Sequence, residues 1–321
     1  MDIQEAVPAS APLPLLNQPT VLASGTAIRI QQGIALAVVV VPFLGFVAAL
    51  LLVRSAGMSR QEMELFVASY FFGMLGITLG FHRHFAHRAF KTSRGMQIFF
   101  AILGSMAAQG PLFFWVATHR RHHTYSDQPE DPHSPQLCGQ GFWESVKGFW
   151  HGHIGWMFSR EQTNWAKFVP DLIKDRLLFR MHRLYPVWVF LGLAIPTLVG
   201  GIGMGTWGGA LRGFLWGGLT RIFFVNQALW CVGSICHMFG RRPFQHRTLD
   251  HSANNYWVAL VTFGEGNQND HHAFPNSARH GLNWWQPDFT ADVIVFLEKI
   301  GLVWDVKIPK KNTVLAALEQ R

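Results

Sequence analysis

The sequence predicts an all-α membrane protein, in which four transmembrane helices form two hairpins and a helical cap holds a histidine-rich metal site. Three observations support that fold class. Of the 321 residues, 49% are hydrophobic and only 14% are charged, whereas soluble domains carry about 25% charged residues. Several uncharged runs are long enough to cross a bilayer. Sixteen histidines are present, and most of them lie in the polar segments between those runs.

The predicted spans are residues 34–53, 65–81, 186–206 and 213–236. The first of them is a run of twenty uncharged residues, which matches the ~20 residues that a helix needs to cross the hydrocarbon core. The last is interrupted by a single arginine, Arg221, for which the sequence suggests no partner. A charge inside a span is costly and is expected to be paired within the bundle.

A fifth uncharged run, residues 96–118, is interpreted as an interfacial or re-entrant helix. If this run crossed the membrane, the polar segments on either side of it would lie on opposite faces. The histidines of those two segments could then not share one site. Gln97, Gln109, Gly110 and Pro111 also weaken the run as a span.

The distribution of positive charge predicts the sidedness of the chain. Twenty-three of the twenty-seven lysines and arginines lie in residues 1–33, 82–185 and 239–321. The positive-inside rule therefore places these segments, and both termini, in the cytoplasm. This bias also accounts for the net charge of +8. Binding to an acidic protein partner or to anionic head groups is a secondary interpretation of that charge, and we expect no nucleic-acid partner. Residues 1–26 are predicted to be a disordered tail, residues 27–310 a single membrane domain and residues 311–321 a C-terminal tail.

Three histidine clusters have the spacing of metal ligands. In the second cluster the histidines are at positions i, i+3 and i+4, which share one face of a helix. The third cluster repeats that spacing with glutamine in the first position. Neutral imidazoles favour a transition metal. The clusters are His82 and His87; His119, His122 and His123; and Gln268, His271 and His272, with a separate His237 between the second and third.

The first cluster presents a geometric problem. Residues five apart point about 140° away from each other on an α-helix, so His82 and His87 converge only if the helix is irregular or if they bind different ions. His84 points elsewhere and is not expected to be a ligand. One ion needs four to six ligands, so nine candidates indicate two ions. Imidazoles without thiolates fit iron or zinc.

These residues resemble the histidine boxes of the membrane fatty-acid desaturases of the stearoyl-CoA type, in bacterial form. The boxes have the form His-x-x-x-x-His, His-x-x-His-His and a third box that ends in His-His. The resemblance covers about residues 30 to 310. It extends to Asp131-Pro132-His133 and to His271-His272-Ala273-Phe274-Pro275.

The resemblance implies O2-dependent insertion of a cis double bond into a fatty acyl chain at a centre of two iron ions. It also implies a location in the bacterial inner membrane, in contact with membrane lipid, with the active site on the cytoplasmic side. Asp127, Asp131, Glu265 and Asp270 are candidate partners of the ligand imidazoles, which need acceptors to fix their tautomers. Trp115 is a candidate contact for the substrate. The iron ligands implied by position are His82, His87, His119, His122, His123, His237, Gln268, His271 and His272.

Two departures from the family pattern affect the expected iron ligands and the expected carrier of the acyl chain. Gln268 stands where the family usually has histidine, which predicts that iron is retained with altered electronic properties. Ala117 and Thr118 replace an Arg-Asp pair that helps animal members to bind CoA, so a phospholipid-linked acyl chain is open beside acyl-CoA. The sequence has no His-Pro-Gly-Gly haem motif, and a separate donor of the ferredoxin, rubredoxin or cytochrome b5 type is expected.

The sequence alone leaves other functions open. A related di-iron hydroxylase would use the same residues, and analysis of the product by mass would separate the two reactions. A transporter or metal-handling protein would carry titratable groups within the spans, whereas these histidines lie almost wholly in polar segments. A zinc hydrolase needs fewer than nine ligands.

Overall fold

The computed structural model describes residues 17–245 and 249–319, which are mostly helical. Within these residues, four helical stretches are long and apolar enough to cross a membrane: Gly25–Ala56, Arg60–Ala86, Tyr185–Met204 and Trp207–His237. They contain nearly all of the four predicted spans. Only 17% of the most apolar window is buried in the first and in the third stretch, so most of their apolar surface faces outward.

The first two stretches are helix α1 (Gly25–Ala56) and helix α2 (Arg60–Leu75), and the chain of α2 continues as a π-helix over Gly76–Ala86. The third is α9 (Tyr185–Met204). The fourth is α10 (Trp207–Gly213), a π-helical segment (Phe214–Thr220), α11 (Arg221–Ser234) and a 3-10 turn (Ile235–His237).

Shorter elements build the remainder. The chain between the second and third stretches forms α3 (Arg94–Met106), α4 (Leu112–Tyr125), α5 (Phe142–His153), α6 (Trp165–Phe168), α7 (Pro170–Ile173) and α8 (Arg176–Arg183). After the fourth stretch come α12 (Tyr256–Val261), α13 (Gln268–Ala273), α14 (Phe289–Lys299) and α15 (Lys311–Leu318). Two antiparallel strand pairs join distant segments: β1 (Thr20–Leu22) with β3 (Glu161–Thr163), and β2 (Lys91–Thr92) with β4 (Val303–Trp304).

The ends of the chain differ in part from the predicted tails. Residues 1–16 of the predicted disordered tail lie outside the described residues. Its last part is ordered, because the backbone of β1 pairs with β3 and Ser24 caps the first turn of α1. Residues 311–318 of the predicted C-terminal tail form α15, which buries no residue.

The predicted interfacial helix at residues 96–118 is instead two helices, α3 and α4. The chain turns at Ala108 and Gly110, whose φ angles of 61° and 104° are incompatible with a right-handed helix, and Pro111 follows. The turn brings α4, which carries the second histidine cluster, beside the end of α2.

The buried Arg221 finds its partners in backbone carbonyls. Its guanidinium donates to the oxygen of Met106, at the end of α3, over 2.7 Å, and to that of Gly192 over 2.8 Å. Its Nε donates to the carbonyl of Gly217 over 3.3 Å. Arg221 therefore ties α3 to α9 and to the π-helical segment before α11.

Glycines allow α9 and α10 to approach closely. A Cβ atom at Gly213 would lie 2.2 Å from the carbonyl oxygen of Pro196, and one at Gly200 would lie 2.5 Å from that of Gly209. Close backbone contact through small residues is typical of helix pairs in membranes.

Candidate metal centre

The π-helix at the end of α2 resolves the geometric problem of the first cluster. In a π-helix the hydrogen bonds join residues five apart, so such residues come to lie over one another. His82 and His87 accordingly point the same way, with their ring centroids 4.8 Å apart. His84 points away and packs against Phe90 and Phe100.

Helix α4 divides its three histidines between two groups. His119 and His123, one turn apart, face His87 at ring distances of 4.8 and 4.6 Å. His122 lies on the adjacent face of the helix and meets His237 and His272, with ring centroids 4.9 and 5.1 Å away.

The first group contains five histidines whose candidate ligand atoms all lie within 4.8 Å of one another. Its closest approaches are between Nε2 atoms. They are 2.7 Å for His87 and His119, 3.1 Å for His82 and His271, and 2.9 Å for His271 and His123. His271 is completely buried, and it joins the first and second histidine clusters. The five are His82, His87, His119, His123 and His271.

The second group contains His122, His237 and His272, again with ligand atoms within 4.8 Å of one another. Gln268 completes it from the start of α13, because its amide nitrogen lies 3.0 Å from Nε2 of His272. Its amide oxygen is buried and has no hydrogen-bond partner in the structure. The structure thus brings all nine sequence-predicted residues into two adjacent groups.

Carboxylates lie behind four of these imidazoles. Nδ1 of His122 lies 2.9 Å from Asp131, that of His237 lies 2.8 Å from Asp127, and that of His272 lies 2.6 Å from Asp250. His82 contacts Glu265 in the same way. Such partners fix the tautomer of a ligand histidine and orient its ring.

Two of these acids are ionised. Burial alone would raise the pKa of Asp127 and Asp131, but the neighbouring His237 and His122 hold the pKa of each below its ordinary value. A carboxylate only accepts hydrogen bonds, so Nδ1 of the facing imidazole carries the proton. When the imidazole is neutral, as a metal-bound histidine must be, its Nε2 atom carries the lone pair.

This arrangement fits a bound metal. The Nε2 lone pair of His82 faces another imidazole nitrogen at 3.1 Å, and the Nε2 atoms of His122 and His237 are buried without partners. A buried, unsatisfied acceptor costs about 1–3 kcal/mol. A cation in each group would satisfy these acceptors. It would also satisfy Gln268 Oε1, a further buried acceptor without a partner, by taking it as a ligand.

Four histidines of the first group are neutral at pH 7, as metal ligands must be. Burial, followed by the charge of neighbouring histidines, lowers the pKa of His87, His119, His123 and His271 well below the ordinary value. Burial also lowers the pKa of His272 to about 4, against the opposing effect of Asp250.

Other sequence-predicted residues lie close by. Trp115 stacks on His119, with ring centroids 5.1 Å apart, and its indole donates to Gln109 over 3.1 Å. Asp270, predicted as a partner of an imidazole, instead accepts hydrogen bonds from Asn254 and Gln286 over 2.5 and 2.6 Å. Because α13 turns Asp270 away from His271 and His272, its carboxylate holds neighbouring loops together.

Two residues near the centre carried no usable sequence signal. Asp250 contacts His272 across twenty-two positions of the chain, and no helical spacing could relate them. His280 stacks on His271 with centroids 4.2 Å apart, and both of its ring nitrogens are buried without hydrogen-bond partners. It lies in a segment without regular structure, eight residues beyond the third cluster.

Asp250 gives a direct test of the outer carboxylates. We expect Asp250→Asn to lower metal affinity or turnover by about 10–100-fold, the typical effect of losing such a partner, because the acceptor for His272 Nδ1 loses its charge. Metal content after dialysis against a chelator measures the effect. Asp292→Asn, which removes an exposed carboxylate paired with Arg279, is the matched control. Equal metal retention in both variants would contradict the assignment.

A cleft of about 540 Å³ opens onto the centre. His87, His123 and His272 reach its wall from the two groups, and Arg120, Lys167 and Asp250 contribute charged side chains. Both cations have protein partners: Arg120 binds Asp171, and Lys167 donates to the hydroxyl of Tyr125 over 2.9 Å.

Comparison with known proteins gives one consistent result. Residues 63–295 match the profile of the fatty acid desaturase family. The chain is 47% identical over 279 residues to hex-5-enoyl-[acyl-carrier protein] acetylenase of Moorena producens, covering 86% of each chain. It is 40% identical over 243 residues to sn-1 stearoyl-lipid 9-desaturase of Synechocystis, covering 75% of this chain and 70% of that protein. It is also 40% identical over 243 residues to acyl-CoA C20 Delta5-desaturase of Anemone leveillei, covering 74% and 71%.

Proposed function

Because the chain belongs to the fatty acid desaturase family and is an oxidoreductase that acts on fatty acyl chains, we propose that it inserts a cis double bond at a centre of two iron ions. The reaction removes two hydrogens from adjacent methylenes and reduces O2 to two waters, with two electrons and two protons from outside. The observation that carries the proposal is the pair of adjacent groups, in which nine buried or half-buried ligand candidates converge.

The two groups would hold one iron each. Bound iron would supply the activation of O2, and the protein would supply imidazole ligands, fixed ring orientations and burial from water. Asp127, Asp131, Asp250 and Glu265 orient the imidazoles behind them. Trp115 packs against His82 and His119. We propose that its ring positions the acyl chain beside the centre.

Electrons would come from a separate donor. The cleft at His87, His123 and His272 supports an approach from the side of the short helices, because these ligands line its wall. Ferredoxin, rubredoxin and cytochrome b5 types can be compared directly, by measuring which of them supports turnover of the purified protein.

The carrier of the acyl chain differs among the similar proteins, which are named for acyl carrier protein, lipid and CoA. At the positions where animal members use an Arg-Asp pair for CoA, this chain has Ala117 and Thr118, and both are buried. This difference supports a phospholipid- or carrier-protein-linked substrate over acyl-CoA.

A second candidate product is an alkyne. It is favoured by the 47% identity to a protein named as an acetylenase, and it would need an acyl chain that already contains a double bond. A hydroxylated product is the third possibility, because the same oxidant can return oxygen to carbon. The three products differ in mass by hydrogens lost or oxygen gained.

Lipid analysis of a desaturase-deficient host that expresses the chain tests the proposal. We expect new cis double bonds, located by derivatisation, which depend on O2 and are lost in His271→Ala. Alkynes or alcohols as the main products would replace desaturation by the corresponding alternative. No O2-dependent product from iron-loaded protein supplied with a reductant would refute the proposal.

We further propose that the four apolar stretches form two hairpins, with the metal centre on the cytoplasmic side. Loop residues 57–59 join the first two stretches and residues 205–206 join the last two. The histidines lie at or beyond the opposite ends of these stretches.

Cysteine labelling in intact cells and inverted vesicles tests this arrangement. With Cys138 and Cys231 replaced by serine, Glu130→Cys and Asn276→Cys should react from the cytoplasmic side, and Ser55→Cys from the other. All three positions are exposed. Labelling of Glu130→Cys and Asn276→Cys from opposite sides would contradict the four-span arrangement.

A further inference from the structure

Helix α8 carries a basic face that the proposed reaction does not use. Arg176, Arg180 and Arg183 lie at positions i, i+4 and i+7, which share one face of a helix, and all three are exposed. The opposite face is buried through Leu178 and Met181. Among the residues that the structure describes, no carboxylate forms an ion pair with any of the three guanidinium groups.

The acids nearest in sequence are already engaged. Asp171 accepts from Arg120 over 2.7 Å and also pairs with Arg88. Asp175 caps the first turn of α8 and pairs with Arg94. His182 faces the other way and stacks on Phe113, with centroids 4.4 Å apart. The three arginines therefore present positive charge that this segment does not compensate.

The arginines also share a concave surface. A cleft of about 400 Å³ is lined by Arg176, Arg180 and Arg183 together with Phe179 and Leu184. Guanidinium groups match the geometry of a phosphate with paired donors. Phe179, which is 40% exposed, adds an apolar wall. This combination suits an anionic group that is attached to an apolar body.

The position of the cleft indicates which body that is. Helix α9 begins at Tyr185, directly after α8, and its outward apolar side chains include Val187 and Phe190, which are 44% and 66% exposed. The indole of Trp188 donates to the carbonyl of Met181 over 2.9 Å, as suits a tryptophan at the boundary between lipid and water. The guanidinium groups thus belong to the turns just before the apolar surface of α9.

We propose that the α8 cleft binds the phosphate of an anionic phospholipid in the leaflet on the metal-centre side. The proposal rests on the membrane arrangement given under Proposed function. A cluster of basic residues next to a membrane helix attracts anionic lipid, and here Lys174 adds to the three arginines. An acidic carrier protein, the other partner of suitable charge, has less to favour it, because the cleft adjoins the apolar surface of α9.

The test compares lipid selection by the full-length protein in nanodiscs. Spin-labelled phosphatidylglycerol and phosphatidylcholine compete for the protein surface, and the ratio of their affinities is measured. The variant Arg176→Gln/Arg180→Gln/Arg183→Gln is compared with Lys299→Gln/Lys310→Gln/Lys311→Gln, which removes the same charge at exposed sites elsewhere. The thermal unfolding midpoint reports whether each variant is folded, and Arg180→Gln alone serves if the triple variant is not.

We expect the wild type to prefer phosphatidylglycerol. The preference should fall roughly fivefold for each arginine removed, as expected for basic residues near an anionic surface, and the lysine variant should retain it. An unchanged preference in the arginine variants would overturn the proposal. So would a preference that millimolar inorganic phosphate abolishes, since the ligand would then be the free anion. Binding of an acidic carrier protein to the same nanodiscs is measured as well. If the arginine variants lose that binding but keep the lipid preference, the cleft binds the carrier protein and not the lipid. None of these readouts requires turnover, so failure here is distinct from failure of the desaturase proposal.

Discussion

Replacement of His271 by alanine should abolish turnover and remove most of the bound iron. Nε2 of His271 lies 3.1 Å from that of His82 and 2.9 Å from that of His123, so its loss opens the middle of the five-histidine group. Loss of an outer partner already costs about 10–100-fold in affinity or activity, and we expect the loss of a ligand to exceed roughly 100-fold. Iron per protein and O2-dependent product formation are the measurements.

His84→Gln is the control for this substitution. His84 lies on the same π-helix as the ligand candidate His82. It is buried to a similar extent, with 8% of its surface exposed against 3% for His82. Its ring, however, packs against Phe90 and Phe100. The His84→Gln variant should keep its bound iron even if the packing around position 84 is weakened. Full turnover in His271→Ala, or iron loss equal in the two variants, would remove His271 from the ligand set.

Replacement of Gln268 should show whether its side chain binds iron or only lies beside the residues that do. If the buried amide oxygen binds iron, Gln268→Leu loses iron from the second group, because an apolar side chain leaves a coordination position open. We expect a loss of activity of at least about tenfold, on the scale of weakened metal sites. Gln268→His should keep the metal and part of the activity, because imidazole reaches a similar distance and is the better donor.

If each group holds one iron, as proposed, Mössbauer spectroscopy separates the two groups. Gln268→Leu should alter one of two iron signals in Mössbauer spectroscopy and leave the other unchanged, since its amide lies beside His272 of the second group. His84→Gln replaces a ring that packs against Phe90 and Phe100 and not against either group, and it should leave both signals intact. Wild-type iron content and turnover in Gln268→Leu would show that histidines alone hold the metal.

The sequence was most informative where the physical signal is local. The length of an uncharged run determines whether a helix can cross a bilayer, and the four apolar stretches contain nearly all of the predicted spans. The i, i+3, i+4 spacing likewise indicated that α4 and α13 would each present several ligand candidates. These features need only neighbouring residues to be recognised.

The features that the sequence does not predict depend on contacts between distant segments of the chain. In the sequence, only Gly110 and Pro111 indicate the bend between α3 and α4, because they weaken the run as a membrane span. The direction of the bend is set by packing and by the hydrogen bond from Arg221 to Met106. Asp250 reaches His272 from a loop. The π-helix cannot be read from the spacing of its apolar residues, since it has the composition of any apolar helix, yet it makes His82 and His87 converge.

That π-helix makes the length of the segment matter as well as the identity of its residues, all of which are buried. Deleting one residue from 76–81 would restore ordinary α-helical hydrogen bonding. Everything beyond the deletion would then turn by about 100° and shift by ~1.5 Å. His82 would swing out of the five-histidine group, and His87 would point about 140° away from it on an α-helix. One residue more or less in the exposed turn at Gly139–Gly141 would be absorbed locally. The two sites should therefore differ sharply in their tolerance of insertions and deletions.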